Sequence, residues 1–239
     1  QAGPDYGAWS SQYNMHFGYW RAGINPFKLE GMLEEMNCQI GQRLELEADT
    51  PFEIADLGCG LGASARSMAR QYPYGKVYGL TISPWQVRQG RKLNLPEGLM
   101  DRVQLMVGDY TVMPFADNSF AAIVRIYAPS KPEELQRLLK PQGYLITVSP
   151  GPQHLLEIKQ AVYDEVQLHS DAIAEIPMLT HLTRQRLQFT LRFEKADDVS
   201  ALIQMVPLAW KFSAEQKQQF AATLPDISVD FLLDVYQKA

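Results

Sequence analysis

The chain has 239 residues, 46% hydrophobic and 21% charged, which suits one large α/β domain or a core with a small appendage. A net charge of −5 argues against a broad nucleic-acid footprint, and two cysteines, Cys38 and Cys59, are too few for a disulfide framework or a four-thiolate zinc site. With no secretory signal and no apolar run of the roughly 18 residues that a membrane span needs, a reduced, cytoplasmic setting is expected.

Residues 1–28 are rich in Gly, Ser and aromatics (Tyr6, Trp9, Tyr13, Phe17, Tyr19, Trp20) and read as an irregular arm. Over 29–46 the apolar residues Met32, Leu33, Met36, Ile40 and Leu44 recur at helical spacing. Strands are predicted at 52–57, 77–82, 103–107, 120–127 and 144–148, with helices at 63–71, 84–93 and 132–139 between them. Such alternation implies right-handed crossovers and a parallel sheet covered on both faces. Beyond residue 152 the pattern predicts a long amphipathic helix over 153–169 and a polar stretch containing Pro177. A strand over 187–194, helices at 196–205 and 213–222, and a closing strand over 228–236 follow. The expected architecture is a Rossmann-like, doubly wound α/β fold with a seven-stranded, mostly parallel sheet and one antiparallel edge strand. A single domain over 1–239 is expected, divided into an N-terminal arm and helix (1–50), a cofactor-binding core (51–150) and substrate-side helices with closing strands (151–239).

The first strand runs into Asp56-Leu57-Gly58-Cys59-Gly60-Leu61-Gly62 and then a helix. Glycines at alternate positions let the backbone turn sharply and approach a ligand with no Cβ in the way. The dinucleotide fingerprint is Gly-x-Gly-x-x-Gly, with the pyrophosphate on the helix N-terminus. Here the third glycine comes one residue early and an acid precedes the turn. That acid repels a diphosphate and attracts an amine, a pattern that favours S-adenosylmethionine over NAD or ATP. Cys59 within the loop reads as a small buried residue rather than a nucleophile.

The order and spacing of these motifs resemble the class I S-adenosylmethionine-dependent methyltransferases. Asp56 with Gly58, Gly60 and Gly62 matches their first motif. Gly108-Asp109 after the third strand matches their adenine-contacting position, and Leu138-Leu139-Lys140-Pro141-Gln142-Gly143 their turn before strand five, with Gln142 where glycine is usual. Where many members end strand two with a ribose-gripping acid, this chain has Thr81-Ile82-Ser83. The run Leu80 to Gln86 resembles the subgroup of tocopherol and sterol methyltransferases, as does Asn14 to Trp20, the aromatic arm of that subgroup's active-site mouth. The second half, 115–237, resembles the guanine-N1 methyltransferases of 23S ribosomal RNA, through Arg125 to Pro129, Ser149 to Leu155 and Leu202 to Trp210. Those RNA enzymes carry an N-terminal four-cysteine zinc module that this sequence lacks, so the seam near Met113-Pro114-Phe115 joins two lineages.

The resemblance implies that Asp56 anchors the methionyl ammonium and that Gly58, Gly60 and Gly62 let the backbone pass close to it. It implies that Thr81 and Gln86 serve the ribose, that Gly108 and Asp109 serve the adenine, and that Ile82 and Tyr110 sandwich the base. Tyr19 and Trp20 would close the mouth of the site. If the acceptor must lose a proton, His16, Tyr13, Tyr127 and His154 are the candidate bases. The expected function is transfer of a methyl group from S-adenosylmethionine to a small-molecule acceptor, without a metal. A 23S ribosomal RNA guanine and a catalytically idle cofactor-binding module are the alternatives.

Overall fold

The computed structural model describes residues 10, 11, 14, 18, 19, 29–47, 49–206 and 208–239. The arm residues Tyr6, Trp9, Tyr13, His16, Phe17 and Trp20 therefore lie outside the described residues. The helix α1 (Leu29–Gln42) precedes β1 (Glu53–Leu57), α2 (Ala63–Gln71), β2 (Lys76–Thr81), α3 (Pro84–Asn94) and β3 (Val103–Val107). Then come β4 (Phe120–Ile126), α4 (Pro132–Leu138), β5 (Leu139–Pro150) and the short α5 (Leu156–Gln160). The chain closes with β6 (Leu179–Leu191), α6 (Ala196–Met205), a 3-10 turn (Ala209–Lys211), α7 (Ala214–Ala222) and β7 (Ile227–Lys238).

The seven strands form one sheet in the order β3-β2-β1-β4-β5-β7-β6. Strands β1 to β5 are parallel, and β7 pairs antiparallel with both β5 and β6. The reversed strand is thus β7, one position in from the edge that β6 occupies. Residues Ile54 to Leu57 of the central β1 are all buried, as expected of a parallel strand covered on both faces. One face packs Met36 and Ile40 of α1, Ala65 and Met68 of α2 and Val87 of α3 against Ile54, Val124 and Ile146. The other sets Leu135 and Leu138 of α4 against Ala55, Ile123 and Leu145. Because β7 starts where β5 ends, with Phe231 opposite Pro150, its first residue Ile227 lies beyond the carboxyl end of β5. There it joins Ile158, Val199, Leu202, Ile203 and Ala221 in a third apolar cluster, which puts α5, α6 and α7 at the rim of the sheet.

Three predicted elements differ. The helix expected over 153–169 is only Leu156–Gln160: Leu155 takes a left-handed φ of 55°, and the chain from 163 onward is irregular. Strand β6 begins eight residues before the predicted 187, because its early positions are polar. Arg184 and Arg186 face the buried carboxylates of Asp234 and Asp230 on β7 (2.7–2.9 Å), so ion pairing to buried acids takes the place of an apolar face. Strand β5 starts at Leu139, and the turn predicted at Pro141-Gln142-Gly143 is a bulge within it. Gln142 has φ 62°, a conformation that glycine adopts at lower cost, which accounts for glycine being usual there.

Candidate functional site

The sheet order reverses between β1 and β4, and ligands of open α/β sheets bind outside the carboxyl ends of the strands at such a point. The Gly58–Gly62 loop lies there. Gly58, Gly60 and Gly62 all take positive φ, 76°, 55° and 83°. The loop is pinned to β2 by Gly58 N and Cys59 N, which both donate to Leu80 O (2.9 and 3.0 Å). At Gly58 a Cβ would stand 2.6 Å from the Ala128 methyl, so the loop after β1 and the segment after β4 meet directly. Cys59 is buried and its thiol is pushed up by that burial and by Asp56, which keeps it an uncharged packing group.

Asp56 is 1% exposed. Ser64 Oγ donates to its Oδ2 at 2.6 Å, and the Ala65 amide donates as well, so the start of α2 holds the carboxyl. Burial outweighs both hydrogen bonds and raises its pKa to about 6. A buried carboxylate whose charged form is under-compensated is a receptor for a cation. Ser64 was not singled out in the sequence, although a hydroxyl in the first turn after a glycine loop is a readable sign of such a partner.

At the end of β2, Thr81 Oγ1 donates to Gln86 Oε1 at 2.5 Å, and Ser83 Oγ caps α3 by accepting from Gln86 N at 3.3 Å. Thr81 and Gln86 are thus brought together. Ile82, just beyond, is exposed. Gly108 N donates to Thr81 O (3.1 Å), and Asp109 follows as an exposed acid whose Oδ1 accepts from Thr111 N at 2.8 Å; that bond holds its carboxyl below the usual range. Tyr110 is buried, its phenol raised by desolvation and bonded to the Ile82 backbone and the Thr81 hydroxyl. Ile82 and Tyr110 therefore stand differently: one side chain outward, the other folded in beneath the strand end.

Of the four candidate bases, Tyr13 and His16 lie outside the described residues. Tyr127 follows β4 with φ 51°, a costly conformation for an aromatic residue and one that collects at functional sites. It is 37% exposed, and desolvation, with the Asp230 charge, pushes its phenol above the usual range. Its ring stacks on that of His154, centroids 5.8 Å apart. His154 is buried, its pKa lowered to about 4 chiefly by desolvation and then by the Lys159 charge. Its Nδ1 accepts from Asp230 N at 3.3 Å. Asp230, not singled out beforehand, also takes Gln153 N and Arg186 on its carboxylate. An acid between Val229 and Phe231 in an apolar strand is the signal that could have found it. Tyr19 is buried, bonded through its amide to Met32 O and through its hydroxyl to Gln185 on β6 (both 2.8 Å). Since β6 lies four strands from β1, about 19 Å at the usual strand spacing, the structure does not bring that hydroxyl to the glycine loop. Trp20 lies outside the described residues. Among the described residues no group of acids, histidines and cysteines is arranged to hold a metal, and no helix is long and apolar enough to cross a membrane.

Residues 54–143 match the family model described as a methyltransferase domain. The chain is 32% identical over 127 residues to the sterol 4-C-methyltransferase strm-1 of Caenorhabditis elegans, covering 50% of this chain and 36% of that one. It is 26% identical over 185 residues to the 23S rRNA (guanine(748)-N(1))-methyltransferase of Streptomyces fradiae, covering 75% of this chain and 64% of that one. The chain spans less than half the length of the first relatives it matches, 36–49%. In fold it is similar to a geranyl diphosphate methyltransferase solved with geranyl diphosphate and sinefungin, at TM-score 0.68 and 17% identity, over 100% of this chain and 94% of that one.

Proposed function

We propose, since the chain belongs to the class I S-adenosylmethionine-dependent methyltransferases, that it moves the methyl group of S-adenosylmethionine to a small-molecule acceptor held at the mouth of the β1/β4 crevice. The observation that carries the reading is Asp56: a buried carboxyl, held by the first turn of α2, next to three positive-φ glycines. Its ionised form would take the ammonium of the methionyl tail, and the glycine loop would let that tail lie against the backbone. Thr81 and Gln86 would reach the ribose, and Asp109 would accept from the adenine amine. Ile82 offers an exposed apolar face for the base.

The cofactor brings an already activated methyl group, so the chain's task is to hold the acceptor in line with it; positioning of this kind lowers a barrier by about 7–11 kcal/mol. Tyr127 and His154 would form the acceptor-side wall. With His154 Nδ1 occupied by the Asp230 amide and its basicity depressed, the neutral ring keeps its proton on Nε2 and serves as a donor. The Tyr127 phenol likewise stays protonated. Among the described residues neither is fitted to take a proton, which favours an acceptor atom that is nucleophilic as it arrives.

The similarity to the Streptomyces fradiae enzyme supports a second reading, with a guanine of 23S ribosomal RNA as acceptor. Labelled S-adenosylmethionine offered separately with a small-metabolite pool and with ribosomal RNA decides between them. Label in the metabolites is expected. Label in a guanine, with binding that falls steeply as salt rises, would overturn the small-molecule reading.

A further inference from the structure

Lys159 on α5 is 8% exposed, and its Nζ has no hydrogen-bond partner among the described residues. No carboxylate of those residues pairs with it, and burial lowers its pKa. A covered ammonium without a partner is costly, and such groups in folded proteins are paired or wait for a ligand. Its position is informative. Lys159 sits on the short helix whose N-cap, Leu155, directly follows His154, and its charge is felt at both His154 and His169. His154 stacks on Tyr127, and the next residue, Ala128, touches the glycine loop at Gly58. A line of contacts thus runs from the loop that would hold the cofactor to His154, the residue just before the helix that carries the unpartnered amine.

We propose that Lys159 is the anchor of an anion subsite for the methyl acceptor, which therefore carries a carboxylate or a phosphate monoester. The inference rests on the acceptor-side assignment of Tyr127 and His154 made above. The shared chemistry is a compact anionic oxygen group. It would take the ammonium as a charge-assisted partner, with the His154 ring alongside. The occupant is a small molecule: a covered amine on a chain of net charge −5 suits the terminal group of a small ligand, whereas an RNA backbone is gripped by exposed cations spread over a surface.

The test uses the full chain saturated with S-adenosylhomocysteine and two probes, inorganic phosphate and carbon-labelled acetate, each titrated by NMR line broadening. Wild type is expected to bind at least one of them. Lys159→Met should weaken that probe by at least about tenfold, and Lys159→Arg should retain it. Phosphate alone points to a phosphate-bearing acceptor, acetate alone to a carboxylate. Thermal melts of both variants establish that they fold, and Lys159→Met is expected to melt no lower than wild type. Equal affinity in wild type and Lys159→Met, or no binding of either probe to wild type, would overturn the proposal. So would a short guanine-containing RNA that displaces the probe in wild type. S-adenosylmethionine titrated into the same samples without S-adenosylhomocysteine reports separately on the methyltransferase reading. If the cofactor fails to bind while phosphate binding still depends on Lys159, that reading falls and the subsite stands.

Discussion

The rings of Tyr127 and His154 lie stacked, 5.8 Å between centroids and 21° between planes, one at the end of β4 and the other after β5. Two loops that are distant in sequence thereby share one wall of the crevice. Each loop carries a bulky residue in left-handed conformation, Tyr127 and Leu155. The wall is held from behind by Asp230, whose amide reaches His154 and whose carboxylate takes Arg186.

Burial behind that wall, reinforced by the Lys159 charge, sets the protonation of His154. Its folded pKa of about 4 lies below the ordinary 6.5. The unfolded chain therefore gains the proton first as pH falls, so stability from this group is present above about 6.5 and drains away down to about 4. The loss amounts to about 3 kcal/mol. NMR titration should find an imidazole that stays neutral from pH 8 to pH 5, and His154→Gln should flatten the acid side of the stability curve. An imidazole that protonates near 6.5 would contradict the burial seen here.

At Gly58 the backbone requires what only glycine gives without strain: φ 76°, with the site of a Cβ already filled by Ala128. Gly58→Val should cost at least about 2 kcal/mol from the left-handed backbone alone, before the overlap is counted. Urea unfolding measures it. A loss under half that size would mean that the two loops yield, and that their contact does not define the crevice.

The raised pKa of Asp56 gives the cofactor site a pH signature. Above about 6 the carboxyl is ionised and ready for a cation; below that value the empty site must give up a proton before an ammonium can bind. Affinity for S-adenosylmethionine is expected to be level above about pH 7 and to fall by about tenfold per unit below 6, since one proton competes with the ligand. A level affinity from pH 8 to pH 5 would remove Asp56 from the site.

The amino-acid sequence carried the parallel half of the fold well, because β1 to β4 are short apolar runs and the helices that follow β1, β2 and β4 have clear starts, such as Ser83-Pro84 before α3. The Asp56 to Gly62 loop was legible for the same reason: its residue types answer to backbone demands that act locally. Between residues 153 and 186 the local signals misled, whereas the helices expected at 196–205 and 213–222 and the strand at 228–236 stand within two residues of their predicted bounds. Strand β6 hides its first half because Arg184 and Arg186 satisfy buried acids 50 and 44 residues further along the chain, and the 153–169 periodicity gives way at Leu155 to tertiary packing on β7. Lys159 could not be singled out in the sequence, since its meaning depends on what faces it. Tyr19 was a sound aromatic signal, but its hydroxyl is placed by Gln185, a contact between residues 166 positions apart.

Calorimetric titration of the chain with S-adenosylmethionine, alongside Asp56→Asn, tests the central assignment most directly. One site per chain is predicted for the wild type, with affinity at least about tenfold weaker when the carboxylate is replaced by its amide. No heat from S-adenosylmethionine, or tighter binding of NAD or ATP to the same crevice, would contradict it.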